Sequence, residues 1–216
     1  MSPADGSNRF EQALRLIDAA NAEDPARLTH AGASHSKEML HARMASDWVR
    51  RLRPDASEAL LLATRAHHIR RWQMPRSTFP ATRQGYLQWR AKLQRFHADE
   101  AASILKECGY EDADIARVKD LIRKRGLTPD PGNRDPEAQT LEDALCLVFL
   151  ETQLDELAQR VEHERMVHLL RTTWGKMSEA GHAKAMELEL SDVGRELVRQ
   201  ALEAPAGNPP GRSAEG

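Results

Sequence analysis

Apolar residues recur at intervals of three and four along almost the whole chain, and nowhere do they alternate over a useful strand length. Phe10, Ala13, Leu14, Ile17 and Ala20 form one such stripe, and Leu40, Met44, Trp48 and Leu52 another. A chain patterned this way can bury its apolar faces only by packing helix on helix. The expected fold is all-α, a compact bundle of seven to eight helices. Pro54 stops the second helix. Asp55 with Glu58 reads as a capping box for a third that runs to about Trp72. A long fourth helix is expected from Arg83 to Glu107, closed by Gly109, and a fifth carries Ile115, Val118, Leu121 and Ile122 up to Gly126. Asp135 and Pro136 read as N-cap and first residue of a sixth helix running past Leu157. Its stretch Ala144 to Leu150 is apolar all round, the mark of a buried helix. A seventh covers Glu162 to Lys176 and a short eighth follows Ser178. Ala22 to Ser36, with Pro25 and Gly32, reads as a loop. The expected organisation is a flexible terminus (1–9), one helical domain (10–190), a weakly packed helical segment (191–203) and a disordered tail (204–216).

The chain has 216 residues, with 31 Lys and Arg against 33 Asp and Glu, a formal charge of −2. That average speaks against a wholly basic nucleic-acid binder and against a polybasic membrane anchor. Cys108 and Cys146 have no metal-type spacing and read as reduced core thiols. The short polar start lacks an apolar leader and no run is long enough to cross a bilayer, so a cytoplasmic location is expected.

The average conceals a marked asymmetry. From Ala59 to Ala98 there is no Asp or Glu, but there are eight cations: Arg65, Arg70, Arg71, Arg76, Arg83, Arg90, Lys92 and Arg95. Five of the ten aromatic residues share this window: Trp72, Phe79, Tyr86, Trp89 and Phe96. Guanidinium forks match phosphate oxygens, and Trp or Tyr beside them offers a face for a base. The bland alternative is that these arginines pair with the acidic remainder. The proline-bounded loop Pro75 to Pro80 can present Arg76.

The same window holds His67, His68 and His97. His97 lies in the stripe Leu93, His97, Ala101, Ile104, and Asp143 in the stripe Asp143, Leu147, Leu150, Leu154. His41 stands beside Leu40 and Met44. An inward carboxylate costs several kcal/mol, roughly, unless a partner or metal compensates it. An inward Asp accompanied by several inward His is the donor set of a metal site. Glu38, Glu142 and Glu151 are further carboxylates near these stripes.

The order His41, His67-His68, Asp143 on separate helices resembles the HD-domain metal phosphohydrolases, which hold one or two divalent metals with a His, a His-Asp doublet and a distant Asp. Here His68-Ile69 stands where Asp-Ile is usual. The resemblance points to His41, the His67-His68 pair and Asp143; together with the inward His97, a metal site would use His68, His97 and Asp143, with His41, Glu38 or Glu142 as possible additions and Mn, Fe, Zn or Mg as the ion. The missing doublet Asp turns the expectation from a two-metal centre toward a single nitrogen-rich site, or no metal. A second resemblance covers Phe10 to about Leu190. The strings His68-Ile69-Arg70-Arg71-Trp72, Pro75-Arg76, Gly85-Tyr86-Leu87 with Trp89-Arg90, His97-Ala98 and Leu141-Glu142-Asp143-Ala144 are similar to a widespread all-helical domain of unknown function. It implies that His68, Arg70, Arg71, Trp72, Arg76, Arg90, His97, Glu142 and Asp143 form one site.

The leading expectation is a metal-dependent phosphohydrolase or phosphodiesterase acting on a nucleotide or small phosphorylated metabolite. Glu142 and Asp143 would be catalytic, and Arg70, Arg71, Trp72, Arg76, Tyr86, Trp89 and Arg90 would bind substrate. The alternative is a non-catalytic nucleotide- or RNA-binding module using the same patch. A third reading makes the site a polar core without a ligand. The acidic remainder favours a small anion over a long polyanion.

Overall fold

A computed structural model of the chain describes residues 3–203. The expected disordered tail, 204–216, lies outside the described residues. Ten α-helices, three short 3-10 turns and one two-stranded hairpin make up the described chain, so the fold is all-α as its periodicity requires. It divides into two compact units, one ending at Ala144 and the other beginning at Leu145.

The first unit contains α1 (Pro3–Ala22), α2 (Lys37–Leu52), α3 (Glu58–Ala66), α4 (Arg83–Glu107), α5 (Asp112–Ile122) and the first half of α6 (Pro136–Thr152). Its hub is α3, which packs against α1, α2, α4 and α5. The reason is local: the sequence Glu-Ala-Leu-Leu-Leu-Ala-Thr-Arg-Ala buries Leu60, Leu62, Ala63, Thr64 and Ala66, leaving little polar surface to hold outward. Each fully buried leucine contributes roughly 2 kcal/mol of transfer free energy. The N-cap is Ser57, whose hydroxyl accepts from the Leu60 amide at 3.1 Å, not Asp55. Glu58 instead accepts from the Tyr110 hydroxyl at 2.5 Å.

Two other elements differ from the helical pattern, and both position the site. The segment expected as a loop contains β1 (Arg27–His30) and β2 (Ala33–Ser36), paired antiparallel with Arg27 opposite Ser36. Ala31 and Gly32 both have positive φ, 49° and 77°, which is the two-residue turn whose twist suits a hairpin. Four-residue strands carry too little alternation to be seen in sequence. Asp24 then joins the hairpin to α2, its carboxylate accepting from the amides of Ala26 (2.9 Å) and Glu38 (3.0 Å). This non-local cap fixes the first turn of α2, where Glu38 sits.

The third helix is also shorter than expected. It ends at Ala66, and the chain continues through i to i+3 turns to Met74, with Arg70 in the left-handed region at φ 51°. His67 and His68 are therefore not successive helical residues. The starts and stops of the other helices follow the sequence signals: α2 ends before Pro54, α4 spans Arg83–Glu107 with Gly109 at φ 77° behind it, and Asp135 caps α6 through the amides of Glu137 and Ala138.

In the second unit, the expected sixth helix breaks at Gln153, separating α6 from α7 (Leu154–Ala158). There follow α8 (His163–Trp174), α9 (Glu179–Met186) and α10 (Asp192–Glu203). The split and α10 account for the helix count above eight. Leu197 and Ala201 of α10 are buried, and the helix packs on α7 and α8. Cys108 and Cys146 are both buried, and they form no disulfide with each other. Among the described residues no helix is long and apolar enough to cross a membrane.

Candidate functional site: an imidazole cluster at the end of α3

The hub helix α3 delivers its C-terminus into the interior of the first unit. The last carbonyls of a helix lack intrahelical partners. One of them, Thr64 C=O, accepts from Nδ1 of His67 at 2.7 Å. Beyond the turn, the Ile69 carbonyl accepts from Nδ1 of His97 on α4, also at 2.7 Å. Nδ1 of His68 faces Glu38 Oε2 of α2 at 3.2 Å. The ring centroids of His67 and His68 are 4.2 Å apart, and those of His68 and His97 5.7 Å. The tight turn, unlike a helix, turns two consecutive imidazoles toward each other.

Each ring thus has an oxygen acceptor at Nδ1, which places the proton there and leaves Nε2 with a lone pair in the neutral ring. All three are held neutral. Burial lowers the His97 pKa to about 4. Burial lowers those of His67 and His68 well below the ordinary value, helped at His67 by its neighbour His68 and at His68 by Arg71, His97 and Lys124. His41 is shifted the same way, chiefly by burial. Nε2 of His97 is buried without a hydrogen-bond partner. An unsatisfied buried acceptor costs about 1–3 kcal/mol, so this atom is the point where the cluster is chemically incomplete.

Cations border the cluster. Nε of Arg71 lies 3.8 Å from Glu38 Oε1, with its guanidinium over the Trp89 ring at 5.2 Å. Among the described residues its guanidinium makes no hydrogen bond. Lys124 follows α5 in the left-handed region at φ 57° and pairs with the buried carboxylate of Glu142. A non-glycine residue held there costs roughly 1–2 kcal/mol, and such strain gathers at functional sites. Lys124 carries no sequence signal, because its approach depends on the turn after α5 meeting α6. His67 and Glu38 also join the cluster, although both fall outside the strings that resemble the helical domain family.

The other expected site residues divide clearly. Arg70 is taken up by Glu100 (2.6 Å) and Glu23 (3.7 Å), both outside the acid-free window. Arg65 likewise faces Asp18 at 3.3 Å. Arg76 donates to the carbonyls of Phe79 (2.8 Å) and Pro80 (2.7 Å), so it braces its own loop instead of presenting a free fork. Trp89 Nε1 donates to the Met74 carbonyl at 2.9 Å, fixing the same loop to α4. Trp72 is half-buried in the turn. Asp143 is buried and accepts from Gln139, one turn earlier on α6, at 2.9 Å. Among the described residues no three His, Cys, Asp or Glu side chains are gathered as a metal-holding group. Arg83, Tyr86, Arg90, Lys92 and Arg95 lie exposed on the first half of α4, with Arg90 over the Tyr86 ring at 5.8 Å.

Residues 11–198 match a family described as a domain of unknown function, DUF4202, and the chain belongs to that family. Neither a curated protein nor a solved structure matches it.

Proposed function

We propose that the cluster is the site of a metal-dependent phosphohydrolase or phosphodiesterase acting on a nucleotide or small phosphorylated metabolite. The observation that carries this reading is Nε2 of His97: buried, bearing a lone pair and lacking a partner. An anion cannot satisfy a lone pair, whereas a cation or a hydroxyl donor can. The ring is steadied at Nδ1 by a carbonyl, and His68 by a carboxylate, the usual outer support of metal-binding imidazoles. His68 and His97 would supply the first two ligands of a divalent ion, and His41 and Asp143 would have to be drawn in on binding, since the described side chains are not gathered as a metal-holding group; a nitrogen-rich set suits Zn, Fe or Mn better than Mg. When bound, such an ion polarises a phosphoryl oxygen and lowers the pKa of water. Arg71 would orient the phosphoryl group, and Glu142 or Asp143 would take up the proton of the attacking water.

Elemental analysis of the purified chain, alongside hydrolysis of a panel of phosphate esters, tests this. About one equivalent of metal is expected, lost together with hydrolysis in His97→Ala. A metal-free wild type that hydrolyses nothing in the panel even after metal is added back rejects the reading.

The exposed basic and aromatic half of α4 supports a second reading, a nucleotide- or RNA-binding module without catalysis. It predicts single-stranded RNA binding that weakens steeply with salt. Binding indifferent to salt counts against it.

A further inference from the structure

One face of α4 is buried in the second half of the helix and bare in the first. Arg83, Leu87, Arg90 and Gln94 follow one another at intervals of four, three and four, and the same spacing runs on through His97, Ala101 and Ile104. This is the spacing of a helix–helix seam. From His97 onward its members are buried. Before it, Arg83 and Arg90 are exposed, Leu87 is 54 % exposed and the neighbouring Tyr86 42 %. The back of this half-helix is covered. Residues two apart on a helix point about 200° apart. Gly85, Trp89 and Lys92 therefore face away from Arg83, Leu87 and Arg90, and all three meet the loop that precedes α4. A Cβ at Gly85 would strike Pro80, Trp89 donates to the Met74 carbonyl at 2.9 Å, and Lys92 lies over the Phe79 ring at 5.3 Å. The loop braces the half-helix from behind, so a partner landing on the open seam has little left to order.

The chemistry of the seam narrows the occupant. Among the described residues Arg83, Arg90, Lys92 and Arg95 form no ion pair, unlike Arg65 and Arg70. Arg83 and Arg90 stand seven residues apart on one line, about 10 Å along the axis, with Leu87 between them. Carboxylates at the same spacing on a facing helix answer the two cations, and an apolar side chain between them covers the leucine. A second α4 is a poor occupant, because it sets arginine against arginine. Residues 204–216 hold three prolines and a single acid, Glu215, and supply no such helix. Nucleic acid answers the cations but not Leu87, which offers no π face to a base. We propose that the first half of α4 is the docking face for an acidic amphipathic helix of another protein, seated with an apolar side chain on Leu87 and carboxylates on Arg83 and Arg90. This goes beyond the imidazole cluster and stands whether or not the cluster holds a metal.

The test uses the full-length chain at low salt, with fluorescence anisotropy as the readout and a synthetic amphipathic helix as the probe. The probe carries a leucine stripe flanked by Glu, and a matched peptide carries Lys in place of Glu. Leu87→Ala and Arg90→Glu are the variants; both positions are exposed on a helix, and alanine and glutamate are good helix formers, so the fold is kept. The acidic peptide is expected to bind the wild type, with affinity falling about tenfold or more in each variant, and the Lys peptide to bind at least about tenfold more weakly. Three results overturn the docking face: no binding of the acidic peptide, equal binding of the two peptides, or binding of the acidic peptide to Leu87→Ala within about twofold of wild type. An oligouridylate that displaces the peptide from the wild type and binds Leu87→Ala unchanged assigns the face to nucleic acid and rejects the protein helix. Sedimentation velocity covers the remaining occupant, since self-association of the wild type that Leu87→Ala abolishes assigns the seam to a second copy and rejects it too.

Discussion

Nδ1 of His97 lies 2.7 Å from the carbonyl oxygen of Ile69, twenty-eight residues earlier in the chain. The bond ties α4 to the turn that follows α3 and sets the tautomer of a buried ring. It satisfies a backbone carbonyl that the turn leaves outside any helical ladder.

Replacing His97 with alanine removes this bond and leaves a cavity beside Ile69, which is itself fully buried. The expected loss of stability is about 3 kcal/mol, from the unpaired carbonyl and the cavity together. Denaturant unfolding measures it. A loss below about 1 kcal/mol would show that the bond does not hold α4 to the turn.

Stability should fall on mild acidification. His97 titrates near 4 in the folded protein against an ordinary value of 6.5. Its folded pKa is depressed, so the unfolded chain binds the proton first. The contribution is complete above pH 6.5 and is lost progressively down to about pH 4, amounting to about 3 kcal/mol for this ring. His41, His67 and His68 are shifted in the same direction and act with the same sign. Melting temperatures across this range should drop steeply for the wild type and less for His97→Gln; parallel curves would exclude His97 as a source of the effect.

Arg76→Ala should behave as a structural variant. Its guanidinium serves the carbonyls of Phe79 and Pro80, so its removal should cost about 1–2 kcal/mol. Hydrolysis of phosphate esters should stay within about twofold of wild type. A selective loss of hydrolysis at unchanged stability would return Arg76 to the ligand site.

Gly85 permits the same loop to close on α4. A Cβ there would meet the Pro80 carbonyl oxygen at 2.2 Å, a backbone atom that cannot yield without moving the loop. Gly85→Ala should cost about 1–3 kcal/mol. It should also release Trp89 from Met74, visible as a change in tryptophan fluorescence. An unchanged spectrum and melting temperature would mean that the loop does not close on Gly85 as described.

Much of the helical framework was legible because its causes are local. Pro54, Gly109 and the Asp135-Pro136 pair act on their own turns of chain, and the helices start and stop beside them. The departures have physical causes too. Asp55 and Ser57 are both competent caps, and which one serves depends on where the hub helix packs. The turn after Ala66 satisfies its carbonyls with His67 and His97 side chains, one of them from α4, so the helical pattern of the sequence runs on past the point where the helix ends.

The site divides along the same line. His68, His97 and Arg71 stood out because their residue types are unusual on apolar stripes or within an acid-free window. The meeting of Glu38, His67 and Lys124 around them did not, because it depends on elements far apart in sequence. By itself the sequence determined an all-helical chain with a concentration of imidazole and positive charge near its middle, since periodicity and composition are properties of neighbouring residues. Only the tertiary structure decided which charges cancel and which remain. Arg65 and Arg70 meet acids from α1, the chain just after it and α4, Arg76 meets its own loop, Arg71 keeps its donors, and the buried Nε2 of His97 is left without a hydrogen-bond partner. Pairing is settled by distance in space, and distance in space is what packing creates.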